Sequence, residues 1–450
     1  MNQDTIAAIA TAPGQGGIGI IRISGPESER ILTEIFEPAG HRRSTLPESH
    51  RLAYGRILDG KEMLDECMAV LMRAPHSYTR EDVAEIQIHG GLKVLDSVLS
   101  LCLRKGARLA EAGEFTRRAF LNGRIDLTRA EAVMALISAR GEQEHKAAVR
   151  QMNGGTADFI RKASEKLYFL QAGLAACIDY PEEITEEEGA GNLRSGLTEL
   201  ISELSDAVDE HASSLIYNGL RVTLFGTPNA GKSSLLNALL GQEKAIVTEI
   251  PGTTRDTVEG EMMIDGIRIC LTDTAGIRET QDLIERLGVE RSEKALRSAD
   301  IALLVLDGSR QLSEEEKKRI EALGEEDAVI LNKSDLPGIT TEETVAALRP
   351  GIPCMTVSAL NGGTLEPIRS FFRKKAEVSD RLAVTQPRHL EALKRAIASL
   401  RDALNTLDHM TPDMAATDLQ AAQNTLSEIT GDRADEKLLD FVFSGFCVGK

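Results

Sequence analysis

Leu220–Phe225 is an apolar run that stops at Gly226-Thr-Pro-Asn-Ala-Gly231-Lys232-Ser233, and a helix-forming run, Leu235-Leu236-Asn237-Ala238-Leu239, follows at once. Strand, glycine-rich loop and helix in this order gather backbone N–H groups at a helix N-terminus, where they can cradle a phosphate. Lys232 would reach the β/γ oxygens, and the Ser233 hydroxyl can ligate Mg²⁺. Around this unit, short β-branched runs (Ile301–Asp307, Ala328–Leu331, Met355–Val357) alternate with helical stretches, which predicts a parallel sheet covered on both faces. Val258–Ile264 and Ile267–Thr272 flank Asp265-Gly266, a two-residue hairpin signal, so one edge strand should be antiparallel.

The same α/β stretch carries further strand-end motifs. Asp273-Thr274-Ala275-Gly276 ends the second hairpin strand, where the carboxylate can hold the Mg²⁺ shell and the Gly276 amide can sense a γ-phosphate. Asn332-Lys333-Ser334-Asp335 ends another strand. A carboxylate there accepts hydrogen bonds from guanine N1–H and the 2-amino group, a donor pair that adenine lacks, so the expected substrate is GTP. Ser358-Ala359-Leu360 closes the series, where such a loop would touch the guanine O6. The residue after the Asp-Thr-Ala-Gly motif is Ile277, whose aliphatic side chain cannot orient an attacking water as the Gln of Ras-like enzymes does. Asn229 could instead give an oxygen to a monovalent cation, together with backbone carbonyls from Thr248 to Thr253. A plain loop-stabilising Asn is the competing reading.

Outside this stretch the period changes. Residues 1 to about 115 read as mixed strand and helix. From about 119 the chain turns helical, with Ile160, Ala163, Leu167, Leu170, Leu174 and Ile178, then Leu197, Leu200/Ile201, Leu204 and Val208, at three/four spacing. Between them Pro181 to Gly191 reads as a solvated acidic loop, with a docking surface for a basic partner as the competing reading. After Asp380 helices return: Leu390, Leu393, Ile397, Leu400, Leu404 and Leu407 alternate three and four, and Thr411-Pro412 signals another start. An α/β unit inserted into a helical domain follows, with the helices before 216 packing on those after 385. Gly14-Gln-Gly16-Gly-Ile-Gly19 satisfies Gly-x-Gly-x-x-Gly, but a strand-like run follows where a dinucleotide fingerprint needs a helix, so a glycine-rich connection between strands is expected. In Val83–His89, alternation puts Glu85, Gln87 and His89 on one face, by pattern a solvated one.

The chain has 52 Lys+Arg against 70 Asp+Glu, a net charge of −18, which excludes a surface that grips phosphate backbones throughout. Any nucleic acid contact is local or delegated. Cys67, Cys102, Cys177, Cys270, Cys354 and Cys447 lie far apart with no Cys-x-x-Cys pair, so neither a zinc cluster nor a disulfide framework is suggested. With no basic leader and no long apolar run, a cytoplasmic protein is expected. Cys447 near the carboxyl terminus fits the prenylation rule poorly, and a buried inert thiol is its bland reading.

Asn229-Ala230-Gly231-Lys232-Ser233-Ser234, Thr248-Glu249-Ile250-Pro251-Gly252-Thr253-Thr254-Arg-Asp, Asp273-Thr274-Ala275-Gly276-Ile-Arg278 and the terminal Phe446-Cys447-Val448-Gly449-Lys450 resemble the MnmE (TrmE) family of tRNA modification GTPases. The likeness extends from Arg22-Ile-Ser-Gly25 to the last residue. It implies an N-terminal α+β folate-binding-like and dimerisation domain (1–118), a helical domain in two parts (119–216 and 381–450) and an inserted Ras-like P-loop G domain (217–380). It further implies that Asn229, Thr248, Ile250 and Thr253 coordinate potassium, that Ser233 and Thr254 ligate Mg²⁺, and that Glu285 orients the hydrolytic water indirectly. Without the resemblance, Glu285 is a first-turn Glu favoured by the helix dipole.

By the same resemblance, Arg22, Glu85, Arg124 and Lys450 match positions that bind a formyl-tetrahydrofolate one-carbon donor; Arg124 stands where a relative can carry Lys, which keeps charge but alters geometry. Cys447 would serve tRNA modification and not GTP hydrolysis. The family works as a homodimer with a flavoprotein partner, MnmG (GidA), in an expected heterotetramer. That partner brings FAD and much of the basic surface for tRNA. The product is a carboxymethylaminomethyl group at C5 of the wobble uridine, position 34. Two other classes stay open from the residues alone: a ribosome-assembly GTPase switch, which would need an RNA-binding appendage, and a folate enzyme with a regulatory G domain.

Overall fold

In the computed structural model, which describes residues 4–12, 14–40, 48–179, 186–241, 260–273, 299–360, 365–378, 384–409 and 412–450, seven strands form the first sheet, and Val83–His89 among them keeps the alternation read from the sequence. They are β1 (Ile6–Ile9), β2 (Gly16–Ser24), β3 (Phe36–Pro38), β4 (Ala53–Asp59), β5 (Glu62–Met72), β6 (Val83–Gly90) and β7 (Arg108–Leu109). They pair in the order β3-β4-β5-β6-β2-β1-β7, antiparallel except for β1 with β7. Helices α1 (Ser28–Ile35) and α2 (Leu92–Arg104) pack on the sheet. Ile21, Ile23, Ile86 and Ile88 point into this core with Ile31, Leu32, Leu95 and Val98, each such burial worth about 1.5–3 kcal/mol. Gly16 to Gly19 open β2 and no helix follows them, so the dinucleotide reading is excluded.

Helices then dominate: α3 (Glu114–Leu121), α4 (Leu127–Ser138), α5 (Glu142–Met152), α6 (Gly155–Asp179), α7 (Glu186–Asp206) and α8 (Glu210–Asn218). Helical structure therefore begins at Glu114, a few residues before the periodicity reveals it. The stretch expected as an acidic loop is partly helix from Glu186; residues 180–185 lie outside the described residues.

The second sheet is built from β8 (Leu220–Phe225), β9 (Gly260–Ile264), β10 (Ile267–Asp273), β11 (Ile301–Asp307), β12 (Ala328–Asn332) and β13 (Cys354–Thr356), with helices α9 (Lys232–Gly241), α10 (Glu314–Glu321), α11 (Glu342–Leu348) and α12 (Glu366–Lys375). Its order is β13-β12-β11-β8-β10-β9. Every pairing is parallel except the edge pair β9–β10. Asp265 (φ 48°) and Gly266 (φ 81°) both adopt the left-handed backbone that a two-residue hairpin turn demands.

The chain ends in α13 (Pro387–His409), a 3₁₀ turn at Pro412–Met414, α14 (Ala415–Thr430) and α15 (Glu436–Ser444). Proline 412 thus opens a tight turn and the α-helix starts three residues later. These elements divide into two units: Met1–Ile137, Arg150–Ile201 and Arg395–Lys450 form one, Ser138–Val149 and Ser202–Lys394 the other. In the first, α6 packs on α14; Ile160, Ala163, Leu167 and Leu174 are buried, whereas Ile178 is exposed, so the apolar stripe of α6 ends earlier than its spacing suggests. Phe443 and Phe446 of the C-terminal segment join Leu127 and Phe120 in a small cluster of the same unit.

Candidate functional site

In the second unit the loops that carry the nucleotide motifs leave the C-terminal ends of β8, β10, β12 and β13, the side of a parallel sheet where ligands bind. Gly226 (φ 149°) and Gly231 (φ 94°) hold conformations closed to most side chains, and a Cβ on either would strike Val305 or Asn332. Asn229 also adopts a left-handed backbone, φ 64°, at the exposed tip of the loop. Lys232 opens α9, is buried, and donates from Nζ to the carbonyls of Gly226 and Thr227, 3.0 Å each. Ser233 Oγ donates to Asp273 Oδ2 at 2.6 Å, with Asp273 buried at the end of β10. A hydroxyl beside a carboxylate is an oxygen-donor set that suits a hard divalent cation such as Mg²⁺. Ser234 follows on α9, exposed.

Asn332 connects two loops. Its Nδ2 donates to the Ala230 carbonyl at 2.9 Å, and its Oδ1 accepts from the Ala359 amide at 3.0 Å. Lys333, in a left-handed backbone (φ 68°), pairs with Asp307 at 2.6 Å. Burial would raise the Asp307 carboxyl, but hydrogen bonds from Lys333 and Ser309 outweigh it and hold that group below its ordinary value. Ser358 Oγ donates to Asp335 Oδ1 at 2.5 Å and so aims an exposed carboxylate, while Leu360 is left open to solvent. Lys232, Ala230, Asn332 and Ala359 are thereby joined in one network through the Thr227 carbonyl, and Ser358 pairs separately with Asp335.

One further contact reaches the phosphate loop. Thr227 Oγ1 donates to Glu316 Oε1 at 2.8 Å, and Glu316, fully buried, also accepts from Arg310 at 2.6 and 3.0 Å and from the Ser313 amide at 2.9 Å. Burial pushes the Glu316 carboxyl up, yet these bonds prevail and bring it down to about 2. The sequence reading did not single this group out; Ser313-x-x-Glu316 is a capping-box signature that marks the helix start but not the partner in the loop.

In the first unit a second cluster forms at the β2–β6 pairing, where Arg22 faces Glu85. Their side chains pair at 2.8 Å, both half-buried, which corrects the purely solvated face expected for Glu85. Arg22 Nη1 also donates to the Gly449 carbonyl at 3.2 Å. The guanidinium lies 5.7 Å from the ring centroids of both Tyr78 and Phe115, and Arg124 lies 4.7 Å from that of Tyr78. The chain's last residues lie on this site through their backbone: Ala112 bridges Val448, the Gly113 amide donates to the Cys447 carbonyl at 3.4 Å, and the Phe115 amide donates to the Lys450 carbonyl at 3.2 Å. Gly449 (φ 95°) is buried with Ile9 where a Cβ would go. Cys447 is exposed, whereas burial pushes the thiols of Cys67, Cys102 and Cys354 up to about 12. The bland reading of Cys447 as a buried thiol does not hold.

Residues 5–124 match the family described as GTP-binding protein TrmE N-terminus, and residues 127–447 match the MnmE helical domain. The tRNA modification GTPase MnmE of Heliobacterium modesticaldum is 44% identical over 463 residues, covering 99% of each chain. Those of Bacillus velezensis and Bacillus subtilis are 44% and 43% identical over 460 and 462 residues, covering 99% of this chain and 100% of theirs. The chain belongs to the MnmE family of tRNA modification GTPases.

For a member of the MnmE family, several residues expected at the nucleotide lie outside the described residues: Thr248, Glu249, Ile250, Pro251, Gly252, Thr253, Thr254, Thr274, Ala275, Gly276 and Glu285. Tyr78 and Phe115 join Arg22, Glu85 and Arg124 without having been anticipated, because a lone aromatic has no pattern of its own, and Gly449, quoted only as part of the terminal motif, contributes its carbonyl. Among the described residues no helix is long and apolar enough to cross a membrane, and no His/Cys/Asp/Glu group is arranged to hold a metal ion.

Proposed function

We propose that this chain hydrolyses GTP in its P-loop unit and couples that cycle to a chemical step at the Arg22–Glu85–Cys447 cluster of the other unit, where the wobble uridine of certain tRNAs gains a carboxymethylaminomethyl group at C5. One observation carries the first half: the phosphate, carboxylate, base-reading and Ser-Ala loops all leave the same end of one sheet, with Asn332 of the base-reading loop linking the phosphate loop to the Ser-Ala loop and Ser233 linking the phosphate loop to Asp273. Ser233, beside Asp273, and Thr254 would hold Mg²⁺, which supplies charge neutralisation at the phosphates. Lys232 binds the β/γ oxygens once its Nζ exchanges the loop carbonyls for phosphate. Asp335 reads guanine from a geometry fixed by Ser358. Ile277 offers no hydrogen bond, so Glu285 orients the water indirectly, and Asn229 with Thr248, Ile250 and Thr253 would hold potassium.

For the second half, Arg22, Glu85, Arg124 and Lys450 bind a formyl-tetrahydrofolate one-carbon donor: the carboxylate suits the pterin N–H groups, the cations its oxygens and carboxylates. Cys447 stands beside them, open to solvent. The chain acts as a homodimer with a flavoprotein of the MnmG (GidA) kind, which brings FAD and, against a chain of charge −18, most of the tRNA-binding surface. The test compares tRNA nucleosides from cells with and without the gene: loss of the modified wobble uridine is expected, and an unchanged profile refutes the reading. GTP turnover in potassium and in sodium tests the cation, and Glu285→Ala should slow turnover with GTP affinity little changed.

A further inference from the structure

The described residues include five non-glycine positions with a left-handed backbone. Asn229 and Lys333 sit in the nucleotide loops and Asp265 makes the hairpin turn. The remaining two, His50 (φ 66°) and Arg80 (φ 61°), line one open cleft of about 460 Å³ in the N-terminal unit. Such backbone costs of order 1–3 kcal/mol for residues of this kind and collects where side chains must be aimed. His76, Ser77 and Arg124 add to the polar lining, and Met72, Pro75 and Tyr78 give it an apolar wall. Two arginines and two histidines therefore share a small space with no carboxylate among the lining residues, in a chain whose net charge is −18. Arg80 donates to a neutral partner, the Asn122 carbonyl, at 3.0 Å, and Arg124 lies over Tyr78. The cleft is continuous with the Arg22–Glu85 pair through Tyr78, which both guanidiniums of Arg22 and Arg124 approach.

We propose that this cleft holds the oligo-γ-glutamate tail of a folate, and that the enzyme thereby prefers polyglutamylated forms of its one-carbon donor; the inference rests on the assignment of Arg22, Glu85, Arg124 and Lys450 to that donor. A tail of this kind repeats one carboxylate per unit along methylene spacers. The carboxylates match His50, His76, Arg80 and Arg124, and the methylenes match Met72 and Tyr78. A stretch of RNA would need more phosphate contacts than so small a space offers.

The test titrates the full-length protein with formyl-tetrahydrofolate bearing one, three and five glutamates. Exposed pairs of this kind are individually weak, so the expected result is a gain of roughly tenfold in affinity from one glutamate to five, shrinking as salt is raised. Arg80→Gln brings the five-glutamate form close to the one-glutamate affinity, and the wild-type series reads the effect without any variant. Tight one-glutamate binding with no dependence on tail length overturns the inference and leaves the donor assignment standing. Failure of every form to bind removes the donor assignment and the inference with it. If Arg80→Gln leaves the tail gain intact and instead weakens tRNA binding, the cleft belongs to phosphate and the inference is overturned.

Discussion

The nucleotide site and the Arg22 cluster both gather cations and oxygens, yet they are made in opposite ways. Lys232, Asp273, Asn332 and Ser358 are almost wholly buried and held by backbone and one another. At the other site Arg80 and Arg124 are exposed, Arg22 and Glu85 are half-buried, and what is buried is the Phe115 ring and the backbone of Gly449. The first arrangement fixes polar groups in advance, as transition-state stabilisation requires. The second leaves room for a larger partner to arrive and places only the backbone of the tail. A site that must recognise one small nucleotide can be closed. A site proposed to admit a nucleoside within a folded RNA cannot.

If that contrast is right, Cys447→Ser has the largest effect and on one side alone: modified wobble uridine disappears from digested tRNA while GTP turnover stays. Persistence of the modification breaks the division. Next comes Asp335→Asn, which removes the acceptor for guanine N1–H and the 2-amino group. GTP binding should fall about a hundredfold or more, since a site built to hydrogen-bond a ligand discriminates strongly against a mismatch. Xanthine nucleotide, whose C2 oxygen accepts from the new amide, should gain in a competition assay.

Gly449→Ala sharpens the comparison from the other side. A Cβ at φ 95° meets Ile9, with about 1–3 kcal/mol of backbone strain. The tail should shift and modification should drop about tenfold, with GTP affinity unaltered in a binding titration. The smallest effect belongs to Glu316. Its carboxyl sits at about 2 in the folded chain against 4.5 ordinarily. The contribution to stability is therefore present above about pH 4.5 and fades as pH falls towards about 2. Acid unfolding of the wild-type chain should show this limb, and Glu316→Gln should flatten it.

The same contrast explains what the sequence could disclose. Each nucleotide motif is contiguous, and the local sequence that makes strand, loop and helix also makes the site; β8, β10, β11 and β12 lie where the β-branched runs lie. The Arg22 cluster has no such signature. Alternation alone could say that Glu85, Gln87 and His89 share a face, but the partner of Glu85 is decided by which strand lies beside β6 and in what register. That is a property of the assembled sheet. Thr227 and Glu316 fall between these cases: both belong to recognisable local motifs, and the hydrogen bond that joins them spans two loops.

Arg22 and the Gly449 carbonyl it holds are separated by 427 positions in the sequence. At bacterial or eukaryotic synthesis rates of about 5–20 residues per second, the N-terminal sheet waits on the order of tens of seconds before its last piece leaves the ribosome. The P-loop unit emerges well within that interval. A nascent molecule thus has its nucleotide loops in hand before the contact between Arg22 and the Gly449 carbonyl can close.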